Sequence, residues 1–190
     1  WICSPGNIFQ KHPVYERMGK FQSFYQPSGK YVYKPYLVSV LYRKDRKQFW
    51  MSCDAGYGIY IYDSSFRYIR PVAIEGNAVD RPLRDIVEDE LGNIWLRSGD
   101  APFLYYYDEV KDRFLNAASK FNDASFISSG ILKMATDNKG NIWLVKNQQL
   151  IKWEPVKNKF QIIPTKYYGS NKITDNWKRV RLVFDASDNP

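Results

Sequence analysis

The chain has 190 residues, 44% hydrophobic and 17% aromatic, with 28 basic against 20 acidic side chains and a formal net charge of +8. That apolar share can bury a core, which excludes a disordered tail. No apolar run approaches the roughly 20 residues of a transmembrane helix, and two cysteines with one histidine exclude zinc sites built from several Cys and His. Fifteen Tyr, eleven Phe and six Trp favour strands over helices. Trp1-Ile2-Cys3 opens the chain without the basic-then-apolar pattern of a signal peptide and without an initiator Met, the expectation being a piece of a longer protein. His12, in Gln10-Lys11-His12-Pro13, reads as a solvated loop residue, and Cys3 and Cys53 as small buried residues more than as a disulfide. The basic residues are scattered except in Arg43-Lys44-Asp45-Arg46-Lys47, a predicted tight turn whose charges are expected to solvate. No basic face interleaved with stacking aromatics is evident, so nucleic acid is not an expected partner.

Self-similarity organises the chain. Trp1 stands at the Trp of a first, partial copy. Lys44-Asp45-Arg46-Lys47-Gln48-Phe49-Trp50-Met51 is a degenerate copy of Asp89-Glu90-Leu91-Gly92-Asn93-Ile94-Trp95-Leu96. That phrase recurs 48 residues on as Asp137-Asn138-Lys139-Gly140-Asn141-Ile142-Trp143-Leu144, and Asp185-Ala186-Ser187-Asp188-Asn189-Pro190 begins it again. A second landmark is expected after each Trp, an acidic residue followed by Phe: Glu16 with Phe21, Asp63 with Phe66, Asp108 with Phe114, Glu154 with Phe160. The step from Phe21, Phe66 and Phe114 to the next Trp is 29 residues each time. Repeats are thus expected at approximately 1–36, 37–82, 83–130 and 131–179, with 180–190 starting another.

Each repeat holds about four strand-like runs between turn residues. The third is expected to give Leu83–Val87, Ile94–Arg97, Phe103–Tyr107 and Arg113–Leu115. The fourth is expected to give Ile131–Ala135, Ile142–Val145, Leu150–Trp153 and Phe160–Ile163. Val79, Leu83, Ile86, Val87 and Leu91 are also spaced as on an amphipathic helix. Their counterparts at 37–41 and 180–184 alternate or run apolar, so strand is the reading. Four strands in about 45 residues, repeated, predict an all-β protein, a β-propeller of four-stranded antiparallel blades.

In Asp-x-x-Gly-Asn-Ile-Trp the Asp can accept backbone N–H groups of a hairpin turn, and the Gly supplies its left-handed residue. The Trp can fill the wedge between adjacent blades, a few kcal/mol of burial per repeat. Trp1, Trp50, Asp89, Gly92, Trp95, Asp137, Gly140, Trp143 and Asp185 are therefore structural. Calcium loops need ligands at alternate positions, which Asp89 and Asp137 lack, so neither metal nor cofactor is expected. Function is expected where the repeats differ: the loops 54–58, 98–102 and 147–149, and the inter-blade loops 75–81, 122–126 and 167–177. Aromatic rings there can stack on sugar faces while Asp, Asn and Arg bind hydroxyls. Tyr57, Arg84, Arg97, Asp100 and Trp177 are the candidate ligand residues.

Asp-x-x-Gly-Asn-Ile-Trp-Leu, then a strand ending in Tyr-Asp or Trp-Glu and then Phe, resembles the two-component regulator propeller repeat across nearly the whole chain. The resemblance implies the periplasmic sensor of a hybrid two-component system histidine kinase/response regulator, the chain being either an arc of a larger, seven-bladed propeller, the favoured expectation, or a ring closed from four blades. It also implies an oligosaccharide or other small polar ligand, the remaining propeller blades as neighbours, a homodimeric parent, and no membrane insertion of this segment. Lys44 and Lys47 replace Asp and Gly in the second copy. A propeller enzyme with a general base or paired carboxylates and a protein-interaction scaffold are the competing expectations.

Overall fold

The computed structural model describes residues 2–4, 7–11, 18–20, 24–25, 31–32, 37–53, 58–76, 82–121, 127, 130–146 and 149–164, with side chains from residue 37 onward. They divide into two compact units, Trp1–Arg84 and Asp85–Pro190.

In the first unit, β1 (Ile2–Ser4), β2 (Asn7–Lys11) and β3 (Met18–Lys20) form an antiparallel sheet, and β4 (Phe24–Tyr25) pairs with β5 (Tyr31–Val32). β6 (Leu37–Arg43), β7 (Gln48–Cys53), β8 (Gly58–Asp63) and β9 (Tyr68–Ile74) follow as an antiparallel run. Phe49, Met51, Cys53, Tyr60 and Tyr62 form its apolar core with Leu37. Every second residue of β7 contributes, as the two-residue period of a strand requires. Burial pushes the Cys53 thiol up to about 12, so it is an inert core group.

The second unit takes up the chain within β10 (Leu83–Glu88) and continues through β11 (Ile94–Ser98), β12 (Leu104–Asp108) and β13 (Arg113–Asn116). One turn of 3-10 helix, Ala117–Lys120, follows, capped by the Asn116 carboxamide accepting the Ala118 N–H. β14 (Ile131–Thr136), β15 (Ile142–Lys146), β16 (Gln149–Glu154) and β17 (Lys159–Ile163) then form a four-stranded antiparallel sheet. All eight strands expected here lie within one residue of the observed limits, and the segment with helical spacing is a strand. One core joins the two runs of four: Val87, Trp95, Leu104, Phe121, Ile131, Met134, Ile142, Leu144, Ile151 and Trp153 pack together.

The repeated phrase builds one turn twice. Asp89 Oδ1 accepts the N–H groups of Leu91 and Asn93 at 2.9 Å, while Oδ2 accepts the Asn93 amide at 3.0 Å and the Trp95 indole N–H at 2.8 Å. Asp137 does the same with Lys139, Asn141 and Trp143 at 2.9–3.0 Å. The carboxylate thus closes the hairpin and orients the tryptophan at the same time. Trp95, so held, meets Trp153 of the next sheet edge-on with centroids 4.6 Å apart.

Two sequence expectations are corrected here. Phe66 is not the counterpart of Phe114 and Phe160. The β8–β9, β12–β13 and β16–β17 turns place Phe66, Asp112 and Asn158 at positive φ, each two residues before Tyr68, Phe114 and Phe160. Tyr68, Phe114 and Phe160 in turn pair with Tyr62, Tyr107 and Trp153. From the acidic residue to this partner is five residues in Asp63–Tyr68 and six in the others, and from Tyr68 to Trp95 is 27 against 29 from Phe114 to Trp143. The common step of 29 from Phe66 is a coincidence: Phe66 lies two residues before Tyr68, and the step from Tyr68 to the next Trp is two residues shorter. Phe66 itself lies in the turn with its ring stacked on Phe49 at 4.4 Å, and Phe21 lies outside the described residues.

Arg43, second, is buried rather than solvated: it ends β6, pairs with Asp45 at 3.3 Å and lies over the Trp50 ring at 5.8 Å. In that copy, where Lys44 and Lys47 stand for Asp and Gly, the turn is one residue longer: Arg43 pairs with Gln48 across four residues, whereas Asp137 and Asn141 close over three. Lys47 adopts φ 52 where Gly92 and Gly140 have 80 and 77, and Gln48 Oε1 accepts the Trp50 indole N–H at 3.4 Å in place of an aspartate.

Gly92 and Gly140 differ in one respect. A Cβ on Gly92 would meet only the Glu88 side chain at 3.8 Å, whereas one on Gly140 would lie 2.5 Å from the Glu90 nitrogen. The Glu90 N–H donates to the Gly140 carbonyl at 3.2 Å, so one turn rests on the other. Gly92→Ala is expected to cost about 1–2 kcal/mol, the penalty of a left-handed L-residue. Gly140→Ala adds roughly 1–3 kcal/mol for displaced backbone, a difference that urea midpoints will measure. Conversely, Lys47→Gly relieves the left-handed strain and raises stability by about 0.5–1 kcal/mol, net of glycine's chain entropy, read as a higher midpoint.

Candidate functional site

Charged side chains converge where β10, β11 and β14 meet. Asp85, in β10, is buried. Its Oδ2 accepts the Arg97 Nε–H at 2.7 Å and the Met134 backbone N–H at 2.9 Å, and its Oδ1 accepts the Lys133 ammonium at 2.9 Å. Arg97, in β11, is also buried and sends Nη1 to the Ile131 carbonyl at 3.0 Å. The Asp85 and Arg97 side chains are 8% and 7% exposed, that of Lys133 35%. The cluster therefore runs from a buried ion pair to a partly exposed lysine.

Local sequence explains why these groups meet. Asp85 and Lys133 are 48 residues apart, the repeat offset, so they hold the same place in the first strands of successive repeats. The β14 strand carries a register irregularity between Ile131 and Lys133, with Ile131 opposite Lys146 and Lys133 opposite Val145. The same irregularity occurs in β6 between Leu37 and Ser39. Such bulges re-aim side chains at strand ends. Two residues after each Trp stand Ser52, Arg97 and Val145. Ser52 Oγ donates to the Arg84 carbonyl at 2.6 Å, and Arg97 to that of Ile131, so this place ties a second strand to the next first strand.

The structure places the sequence candidates unequally. Arg97 joins the buried cluster. Arg84 is half-buried in β10, its Nη1 3.4 Å from the Leu83 carbonyl. Asp100 is exposed after β11, its N–H donating to Ser98 Oγ at 3.3 Å. Tyr57 and Trp177 lie outside the described residues, as do Trp1 and Asp185 and most of the loops singled out. Asp85 and Lys133 escaped the sequence reading. Their signal was present, an Asp and a Lys at one repeat position, 48 residues apart. Among the described residues no group of three or more His, Cys, Asp or Glu could hold a metal, and no helix is long and apolar enough to cross a membrane.

Elsewhere in the unit, burial raises the Asp137 carboxyl, but the bonds from Trp143, Asn141 and Lys139 outweigh it and hold the group below its ordinary value. A depressed carboxylate stabilises fully above its unfolded pKa of about 3.9 and loses that contribution as pH falls through the folded one. Replacing Asp137 by Asn is expected to cost about 1–3 kcal/mol at pH 7. The gap should shrink below about pH 4, as urea unfolding at pH 7 and pH 3 will record.

No protein-family model matches the chain, and no curated protein sequence matches it. Solved structures do. The extracellular domain assigned to the hybrid two-component system BT4673 of B. thetaiotaomicron superposes with a TM-score of 0.64 at 13% identity, over 88% of this chain and 23% of that one. A second structure of the BT4673 extracellular domain gives 0.63 at 13% identity, over 86% and 22%. PorZ, a surface component of the type-IX secretion system of Porphyromonas gingivalis, gives 0.55 at 19% identity, over 77% and 22%. The chain thus spans less than a quarter of the length of these structures. The likeness concerns the fold, and with the all-β architecture it makes this a chain of the β-propeller class.

Proposed function

We propose that the chain is a non-enzymatic, ligand-sensing arc of a larger propeller, in the periplasmic part of a hybrid two-component sensor whose parent is a homodimeric histidine kinase. In this reading each run of four strands is one blade and the ligand is an oligosaccharide. The observation that carries it is the fold likeness to the BT4673 extracellular domain over 88% of the chain, joined to the repeated Asp-x-x-Gly-Asn-Ile-Trp phrase. Signalling then follows from a ligand that favours one arrangement of the sensor over another. The described part of the chain is built for rigidity, its repeated carboxylates spent on turns and tryptophans, which suits a frame that presents loops.

Titration calorimetry of the extracellular polypeptide containing this chain, against a panel of oligosaccharides, tests the proposal. Saturable binding of at least one, with no change in the sugar after prolonged incubation, is the expected result. Turnover of any sugar would favour a lyase or hydrolase, and no binding across the panel would remove the sensing role.

A further inference from the structure

We propose that the Asp85–Arg97–Lys133 cluster is an anion subsite, taking a carboxylate or sulfate group of an acidic oligosaccharide; this rests on the ligand-sensing reading and narrows its ligand class. Among the described residues two cations, Arg97 and Lys133, meet on the one carboxylate of Asp85, and Asp85 and Arg97 are buried. A buried ion pair needs further hydrogen bonds to complete it, and Asp85 takes one from the Met134 N–H, Arg97 one from the Ile131 carbonyl. The carboxylate thus holds both cations in place, with Lys133 the more exposed of the two.

The Lys133 ammonium has three N–H donors, of which one goes to Asp85 Oδ1. Its side chain is about one third exposed, so an anionic group can approach it. Asp85 and the strand bulge fix the aim of this ammonium, as a preorganised site requires. The place is also particular to this pair of repeats. At the preceding junction the position of Arg97 is taken by Ser52, which makes a neutral bond, and one repeat further on by Val145. Repetition that breaks at one point, with charge, marks a site rather than a scaffold element. The net charge of +8 adds long-range attraction for an acidic ligand.

The test titrates the extracellular polypeptide with glucuronate and galacturonate oligomers, sulfated glycan oligomers, neutral oligomers of equal length and sodium sulfate. Wild type is compared with Lys133→Gln and Lys133→Arg. Acidic oligomers are expected to bind, to lose at least tenfold in affinity in Lys133→Gln, and to recover with Lys133→Arg, while binding of neutral oligomers is unaffected. The arm that responds distinguishes carboxylate from sulfate. Equal binding of acidic oligomers by wild type and Lys133→Gln would overturn the subsite. If no oligosaccharide binds, the sensing reading falls, and the subsite is decided by sodium sulfate through the Lys133 Nζ resonance. A saturable shift supports it, and no shift overturns it. The same resonance replaces the variants should Lys133→Gln not fold.

Discussion

A single carboxylate at the head of a hairpin, found twice, holds the second unit in order. Asp89 and Asp137 each spend one oxygen on two backbone N–H groups and the other on an Asn amide and an indole. The backbone bonds fix the turn, and the indole bond fixes the rotamer of a tryptophan six residues away. A tryptophan free to turn would fill the same volume in several ways. One whose N–H is held presents a single face, and Trp95 uses it to receive the edge of Trp153. Local turn chemistry is thereby converted into the packing of one sheet on the next.

Much of this could be read from the residues alone. Turn signals and alternating apolar runs marked strands to within a residue, because a hairpin's ends are encoded by neighbours in sequence. What stayed hidden depends on neighbours in space. The Asp-to-indole bond needs the hairpin to close before its two ends meet. Asp85 and Lys133 looked like stray polar residues until two first strands were set side by side. Arg97 was picked out as a polar residue in a variable place, yet its burial follows from a carboxylate twelve residues earlier. Phe66 misled because counting residues cannot tell a strand position from a left-handed turn position.

The degenerate copy shows which parts of the motif carry shape. Lys44 and Lys47 remove the carboxylate and the glycine, yet Lys47 takes up positive φ and Gln48 receives the indole. Arg43 then covers the Trp50 ring as a cation over a π face. The tryptophan and its fixed aim are kept, and the means of fixing it are exchanged.

The contact between the Glu90 and Gly140 backbones bears on how such a chain can drift in length. A residue added or lost in that hairpin would slide the carboxylate off its tryptophan and the glycine off its neighbour at once. The hairpin after the third strand is one residue shorter at Asp63–Tyr68 than at Asp108–Phe114, and the stretch from Tyr68 to Trp95 is two residues shorter than that from Phe114 to Trp143. The unequal spacing of Trp50, Trp95 and Trp143 thus arises outside the hairpin that this double tie holds.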